Sequence, residues 1–172
     1  MKASNLEPRR FGINILALIA CGLLIAAMFF PWWSFALEWT ERTDLFPYII
    51  RGPGSELVGY KRSPTMALLT GVLIACILLS LAGSFLKGKA ARIVLAISGV
   101  VTLLASWRLY ARVAGVAARF EIPVHGGGQA SYEIFAVINV WTALQPGLFL
   151  AIAAGILALL ACLLYPKLRL RW

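Results

Sequence analysis

Four long apolar stretches, roughly residues 11–33, 65–86, 90–107 and 143–165, constrain this chain more than any other feature. A helix needs about 20 mostly apolar residues to cross a hydrocarbon core ~30 Å thick, at ~1.5 Å per residue. These segments meet or approach that length, and no other part of the chain does. Hydrophobic residues make up 61% of the chain and charged residues 13%, half the ~25% of an ordinary soluble domain. The expected fold is membrane all-α: a four-transmembrane-helix bundle forming one domain over residues 1–172. Its two outer loops, about 34–64 and 108–142, are expected to form a small β-rich extracytoplasmic cap.

Basic residues set the expected orientation. Lys2, Arg9 and Arg10, then Lys87, Lys89 and Arg92, then Lys167, Arg169 and Arg171 all fall on one side of a four-pass chain. They flank the spans densely, and lysine and arginine beside a span resist translocation. Both termini are therefore expected in the cytoplasm of a cell-membrane protein. Six of the seven acids lie on the other side. The net charge of +9 is read as a topology signal with an affinity for anionic membrane lipid, and no nucleic-acid module accompanies it. The Leu18–Cys21 and Arg9-Arg10 strings resemble export signals, but the apolar run continues to Trp33, so an uncleaved first helix is expected.

Chemistry-bearing motifs are scarce. Cys21, Cys76 and Cys162 all sit inside apolar segments and His125 stands alone, so neither a loop disulfide nor a metal site is expected. Gly126–Gly128 lacks the lysine and hydroxyl of a phosphate loop and reads as a flexible turn. No catalytic arrangement and no cofactor site emerges. Small residues recur at four-residue spacing in Gly22/Ala26, Ala67/Gly71/Ala75 and Ala154/Ala158/Cys162, a pattern that lets helix backbones approach within a bundle or across a subunit boundary.

The loops carry strand character. Phe35, Leu37 and Trp39 alternate with Ala36 and Glu38. Phe46–Arg51 and Leu57–Lys61 flank a Gly-Pro-Gly-Ser break, which predicts a hairpin. Ser131–Trp141 is dense in β-branched and aromatic residues and fits either a strand joining that sheet or an interfacial helix. Trp32 and Trp33 fit interfacial anchors or a partner site. Arg108 and Arg112, one turn apart, fit either snorkelling or pairing with Glu38, Glu121 or Glu133. With Trp39 and Trp141 these are the candidate interaction or anchor residues.

The ground plan resembles the claudin and peripheral-myelin-protein superfamily: four spans, a larger first outer loop, a short inner link, and the tryptophans Trp32, Trp33 and Trp39. The family's Gly-Leu-Trp string and paired loop cysteines are absent. The resemblance implies a non-catalytic protein that assembles laterally or between cells, as a homo-oligomer or with other membrane-protein subunits. The alternative is a small accessory subunit of a respiratory or transport complex.

Overall fold

The computed structural model describes residues 12–57, 62–132, 136–165 and 169–171. In chain order the elements are β1 (Gly12–Asn14), α1 (Ile15–Phe29), β2 (Trp33–Leu37), β3 (Thr43–Leu45), β4 (Ile50–Arg51) and α2 (Gly54–Leu57). They continue with α3 (Pro64–Phe85), α4 (Gly88–Arg119), β5 (Gly126–Tyr132), β6 (Ala136–Leu144), α5 (Pro146–Leu163) and β7 (Arg169–Arg171). Helices α3, α4 and α5 are long and apolar enough to cross a bilayer, while α1 is equally apolar but has 15 residues.

Local chemistry places the helix starts. Asn14 caps α1 by accepting from the Ala17 N–H at 3.3 Å, and Ser63 caps α3 by accepting from the Met66 N–H at 3.3 Å. Pro64 and Pro146 each occupy the first helical position, where the missing N–H costs nothing. Helix α4 corrects the expected third span. It does not stop at Trp107 but runs to Arg119, because Ala, Arg and Leu after the apolar run are strong helix formers. At ~1.5 Å per residue it is ~48 Å long, so about three turns extend beyond a ~30 Å core. The last span likewise begins at Pro146, since residues up to Leu144 belong to β6.

The four long helices pack in a ring, α1 against α3 and α5, and α4 against α3 and α5. Alanines line the seams: Ala17, Ala20, Ala27, Ala91, Ala151, Ala154, Ala158 and Ala161 are all fully buried. A close crossing joins α4 to α5 at two glycines. A Cβ on Gly99 would lie 2.9 Å from the Gly155 carbonyl oxygen and 2.7 Å from Leu159 Cγ. One on Gly155 would meet Leu103 at 2.9 Å. Of the small-residue stripes, only Ala154/Ala158 turns inward. Ala67, Gly71, Ala75 and Gly22 face out of the bundle.

Hydroxyls tie α3 to α4. The Ser80 and Ser98 oxygens lie 2.8 Å apart, and Ser98 donates to the Cys76 carbonyl at 3.0 Å. Ser80 thus serves as the donor to Ser98. Thr102 Oγ1, one turn further along, is buried and has no hydrogen-bond partner among the described residues.

Both ends of the ring are closed by strands. At one end β1 pairs with β7, Asn14 Nδ2 donates to the Ala161 carbonyl at 3.3 Å, and Tyr165 Oη accepts from the Gly88 N–H at 3.0 Å. Strands β1 and β7, the last turn of α5 and the α3–α4 link therefore meet at this end. At the other end lies a five-stranded antiparallel sheet in the order β4-β3-β2-β6-β5. Both long loops contribute, as expected, and residues 136–141 form strand rather than interfacial helix.

Two loop expectations are corrected. The hairpin is β3–β4, turning at Phe46–Ile49 with Pro47 second in the turn, a position that its fixed φ favours. The Gly52-Pro53-Gly54 break leads instead into the short helix α2. Gly52 has φ 118°, and a Cβ there would fall 2.7 Å from the Arg42 carbonyl oxygen. Residues 58–61, the expected second arm, lie outside the described residues. The Gly126–Gly128 turn is in fact the start of β5, paired with Thr142, Trp141 and Val140.

Candidate functional site at the sheet end of the bundle

Trp32 is a structural keystone. It is 0% exposed, so it is not an interfacial anchor. Its Nε1 donates to the Ala27 carbonyl at 2.7 Å, satisfying an acceptor that the end of α1 leaves open. Its N–H donates to the Leu45 carbonyl at 2.8 Å, and its own carbonyl accepts from the Gln145 N–H at 3.1 Å. Pro31 accepts from the Gly147 N–H at 2.9 Å. A Cβ on Gly147 would lie 2.5 Å from both the Phe30 carbonyl oxygen and Trp32 Cδ1. The Phe30–Trp32 segment thus locks α1, β3 and the start of α5 together.

Trp33 is also buried. It donates from Nε1 to the Val124 carbonyl at 3.0 Å, and its ring lies 5.4 Å from that of Phe35. Trp39 and Trp141 differ, being 65% and 52% exposed. Trp39 follows β2, just outside the sheet. Trp141 stands in β6 between Ala36 of β2 and Gly127 of β5. A Cβ on Gly127 would touch the indole at 3.5 Å, so the missing side chain leaves the ring uncovered.

A polar row crosses the same face one pair further along. Asn139 Nδ2 donates to Glu38 Oε2 at 2.9 Å, and Gln129 Nε2 reaches Asn139 Oδ1 at 3.5 Å. Sequence reading missed this row. The signal was the two-residue spacing of Asn139 from Trp141, which places both on one face of the strand. Arg42 and Asp44, 2.7 Å apart, form the one ion pair among the described residues.

Arg108 and Arg112 are exposed on the C-terminal third of α4, and neither pairs with an acid among the described residues. Glu38 is committed to Asn139 instead, and Glu121 caps the end of α4. Glu133 lies outside the described residues. The six sequence candidates therefore do not converge: two tryptophans are internal, two are displayed by the cap, and the arginines lie on the helix. His125 Nδ1 accepts from the Leu144 N–H at 3.3 Å, which occupies that nitrogen within the fold. No group of three metal-binding side chains converges among the described residues.

No family model matches the chain, and no curated protein matches it. The assignment of function rests on the geometry.

Proposed function

We propose that this is a non-catalytic, four-pass integral membrane protein that acts in lateral or intercellular protein–protein assembly, claudin-like, through a cap built from its two outer loops. Both termini are cytoplasmic in this reading, and the five-stranded sheet stands outside. The observation that carries it is the cap itself: strands from two loops separated by two long helices interleave into one sheet. The sheet displays Trp141 beside the polar row of Glu38, Asn139 and Gln129, and Trp39 is exposed just beyond the end of β2. Exposed tryptophan ringed by hydrogen-bonding groups is the composition that contact centres of protein interfaces favour. A multi-pass protein also has reason to hold its outer loops rigid if they are to present a surface.

Helix α1 completes the membrane reading. Its 15 residues rise only ~22 Å, less than the ~30 Å core, and β1 extends it with backbone groups already paired to β7. Paired backbone is what the bilayer requires of any non-helical segment at its edge.

The alternative, a small accessory subunit of a larger respiratory or transport assembly, draws on the outward face of α1. Gly22 faces away from the bundle with no atom within 4 Å of where its Cβ would stand, so a foreign helix has room to approach there. Purification in mild detergent separates the readings. A homo-oligomer that Trp141→Ala weakens supports cap-mediated assembly, and stoichiometric unrelated subunits support the alternative. Orientation is checked by labelling Lys89→Cys and Gly127→Cys with an impermeant thiol reagent, in a background without native cysteines. Gly127 should react from outside intact cells and Lys89 should not; the reverse pattern overturns the orientation.

A further inference from the structure

A groove of about 440 Å³ runs along the outward face of α3 where the helix meets the β3–β4 turn. Its floor is Ala67, Thr70, Gly71 and Ile74, and its mouth is Tyr48, Arg62 and Ser63. The volume falls within the ~300–1,000 Å³ of small-molecule sites. Helix geometry makes the floor: Ala67 and Gly71 lie one turn apart on one face, and no atom stands within 4 Å of a Cβ placed on Gly71. Thr70 does not make the floor polar. Its Oγ1 donates back to the Met66 carbonyl at 2.8 Å and lies 3.1 Å from the Pro47 carbonyl, so its one donor hydrogen is directed inside the fold.

The mouth is cationic. Arg62 lines it, while Arg51 lies behind it, over the Phe46 ring at 4.8 Å and 3.5 Å from Tyr48 Oη. Neither arginine pairs with an acid among the described residues, and Asp44 is taken by Arg42. An apolar groove on an outward helix face, with the Arg62 guanidinium among its lining groups at the helix start, is matched to one class of molecule. We propose that the groove holds one anionic phospholipid, its acyl chain against Ala67, Gly71 and Ile74 and its phosphate at Arg62. Guanidinium forks complement phosphate oxygens in shape as well as charge. A second copy of α3 fits less well. A two-fold parallel contact along this stripe brings Arg62 of each copy to the same level, and the like charges oppose it.

The inference rests on the membrane placement of α3 and is independent of what the cap binds. Its test is native mass spectrometry of the full-length protein released from nanodiscs of equal phosphatidylglycerol and phosphatidylcholine. One retained lipid is expected, with phosphatidylglycerol preferred. Arg62→Ala should lower the ratio of anionic to zwitterionic adduct about fivefold, the worth of one basic residue near a charged lipid surface. The equally basic control Arg119→Ala, on the far end of α4, should leave it unchanged. Gly71→Leu fills the groove from an open position and should abolish retention of either lipid while leaving the circular dichroism intact. Equal retention of both lipids by the parent, an equal loss in Arg119→Ala, or full retention in Gly71→Leu overturns the proposal. So does Gly71→Leu dissociating a dimer without changing the lipid adduct, which would make the face a subunit boundary. Failure of the protein to enter a disc at all overturns the membrane placement along with it.

Discussion

Single residues at the sheet end carry unequal loads, and Trp32 carries the largest. It is fully enclosed, and three hydrogen bonds run from its backbone and indole to α1, β3 and the start of α5. Trp32→Ala should lower stability by about 3–5 kcal/mol, the usual cost of emptying a buried aromatic site, as read by thermal unfolding in detergent. Trp39→Ala, on an exposed ring, should change it by less than about 0.5 kcal/mol. Glu121 offers the opposite sign. Helix α4 ends with Ile122 N–H on the Ala117 carbonyl at 3.0 Å and Glu121 N–H on the Ala118 carbonyl at 3.3 Å, the paired bonds of a Schellman stop. Glu121 holds the left-handed position there, at φ 55°, which an L side chain adopts at a cost and glycine adopts freely. Glu121→Gly should therefore stabilise the protein by about 0.5–1 kcal/mol, and an unchanged or lower melting temperature would count against this account.

At the scale of elements, small residues do different work according to which way they face. Gly99 and Gly155 set the separation of α4 and α5, and a side chain at either would overlap the opposing helix. Gly99→Leu should destabilise by about 1–3 kcal/mol or more, as overpacking does. Gly22→Leu, on an open face of α1, should be neutral or stabilising by up to about 1 kcal/mol, through helix propensity alone. Melting both variants side by side tests the helix arrangement. If Gly22→Leu proves the more damaging, that face of α1 is covered in the membrane and not open. The C-terminal turns of α4 give a milder expectation. Arg108 and Arg112 are exposed and hold no acid among the described residues, so alanine at either position should leave protease access to the cap at the parental level. Increased cleavage in either variant would restore their role in holding the loops.

For the whole molecule, the strand that unites the two loops is β6. It lies between β2 from the first loop and β5 from the second, and Val140 at its middle is opposite Leu37 on one side and Gly128 on the other. Proline there removes a backbone donor from an internal strand, which sheets do not tolerate. Val140→Pro should open both loops to protease several-fold faster while the helices still insert. If the loops remain as resistant as in the parent, each is held by its own helices, and the shared sheet is not what makes the cap rigid.

Hydropathy alone determined much of this protein. The second apolar run was located to within a residue of α3, because a long lipid-compatible segment flanked by Ser-Pro and Leu-Lys has few other ways to satisfy its backbone. Alternation from Phe35 announced the strand that ends at Leu37, since a period of two is a property of the local chain. The β-branched density before Trp141 fitted either a strand or an interfacial helix until its pairing with β2 and β5 decided it. Other features were decided by partners distant in sequence. Arg108 ends an apolar run but not a helix, because charge limits burial in lipid while Ala and Leu continue the helical backbone beyond it. The three glycines after His125 look like a turn until their pairing with Thr142, Trp141 and Val140 is seen, with Pro123 filling the space where a side chain on Gly128 would be. Trp32 and Trp33 share one composition with Trp39 and Trp141, yet the first pair is enclosed and the second displayed. That difference depends on where β3, the Val124 segment and the first turn of α5 come to lie. The groove under Arg62 has the same origin: its floor is a small-residue stripe visible in the sequence, but its mouth exists only because the turn at Tyr48 folds down beside α3.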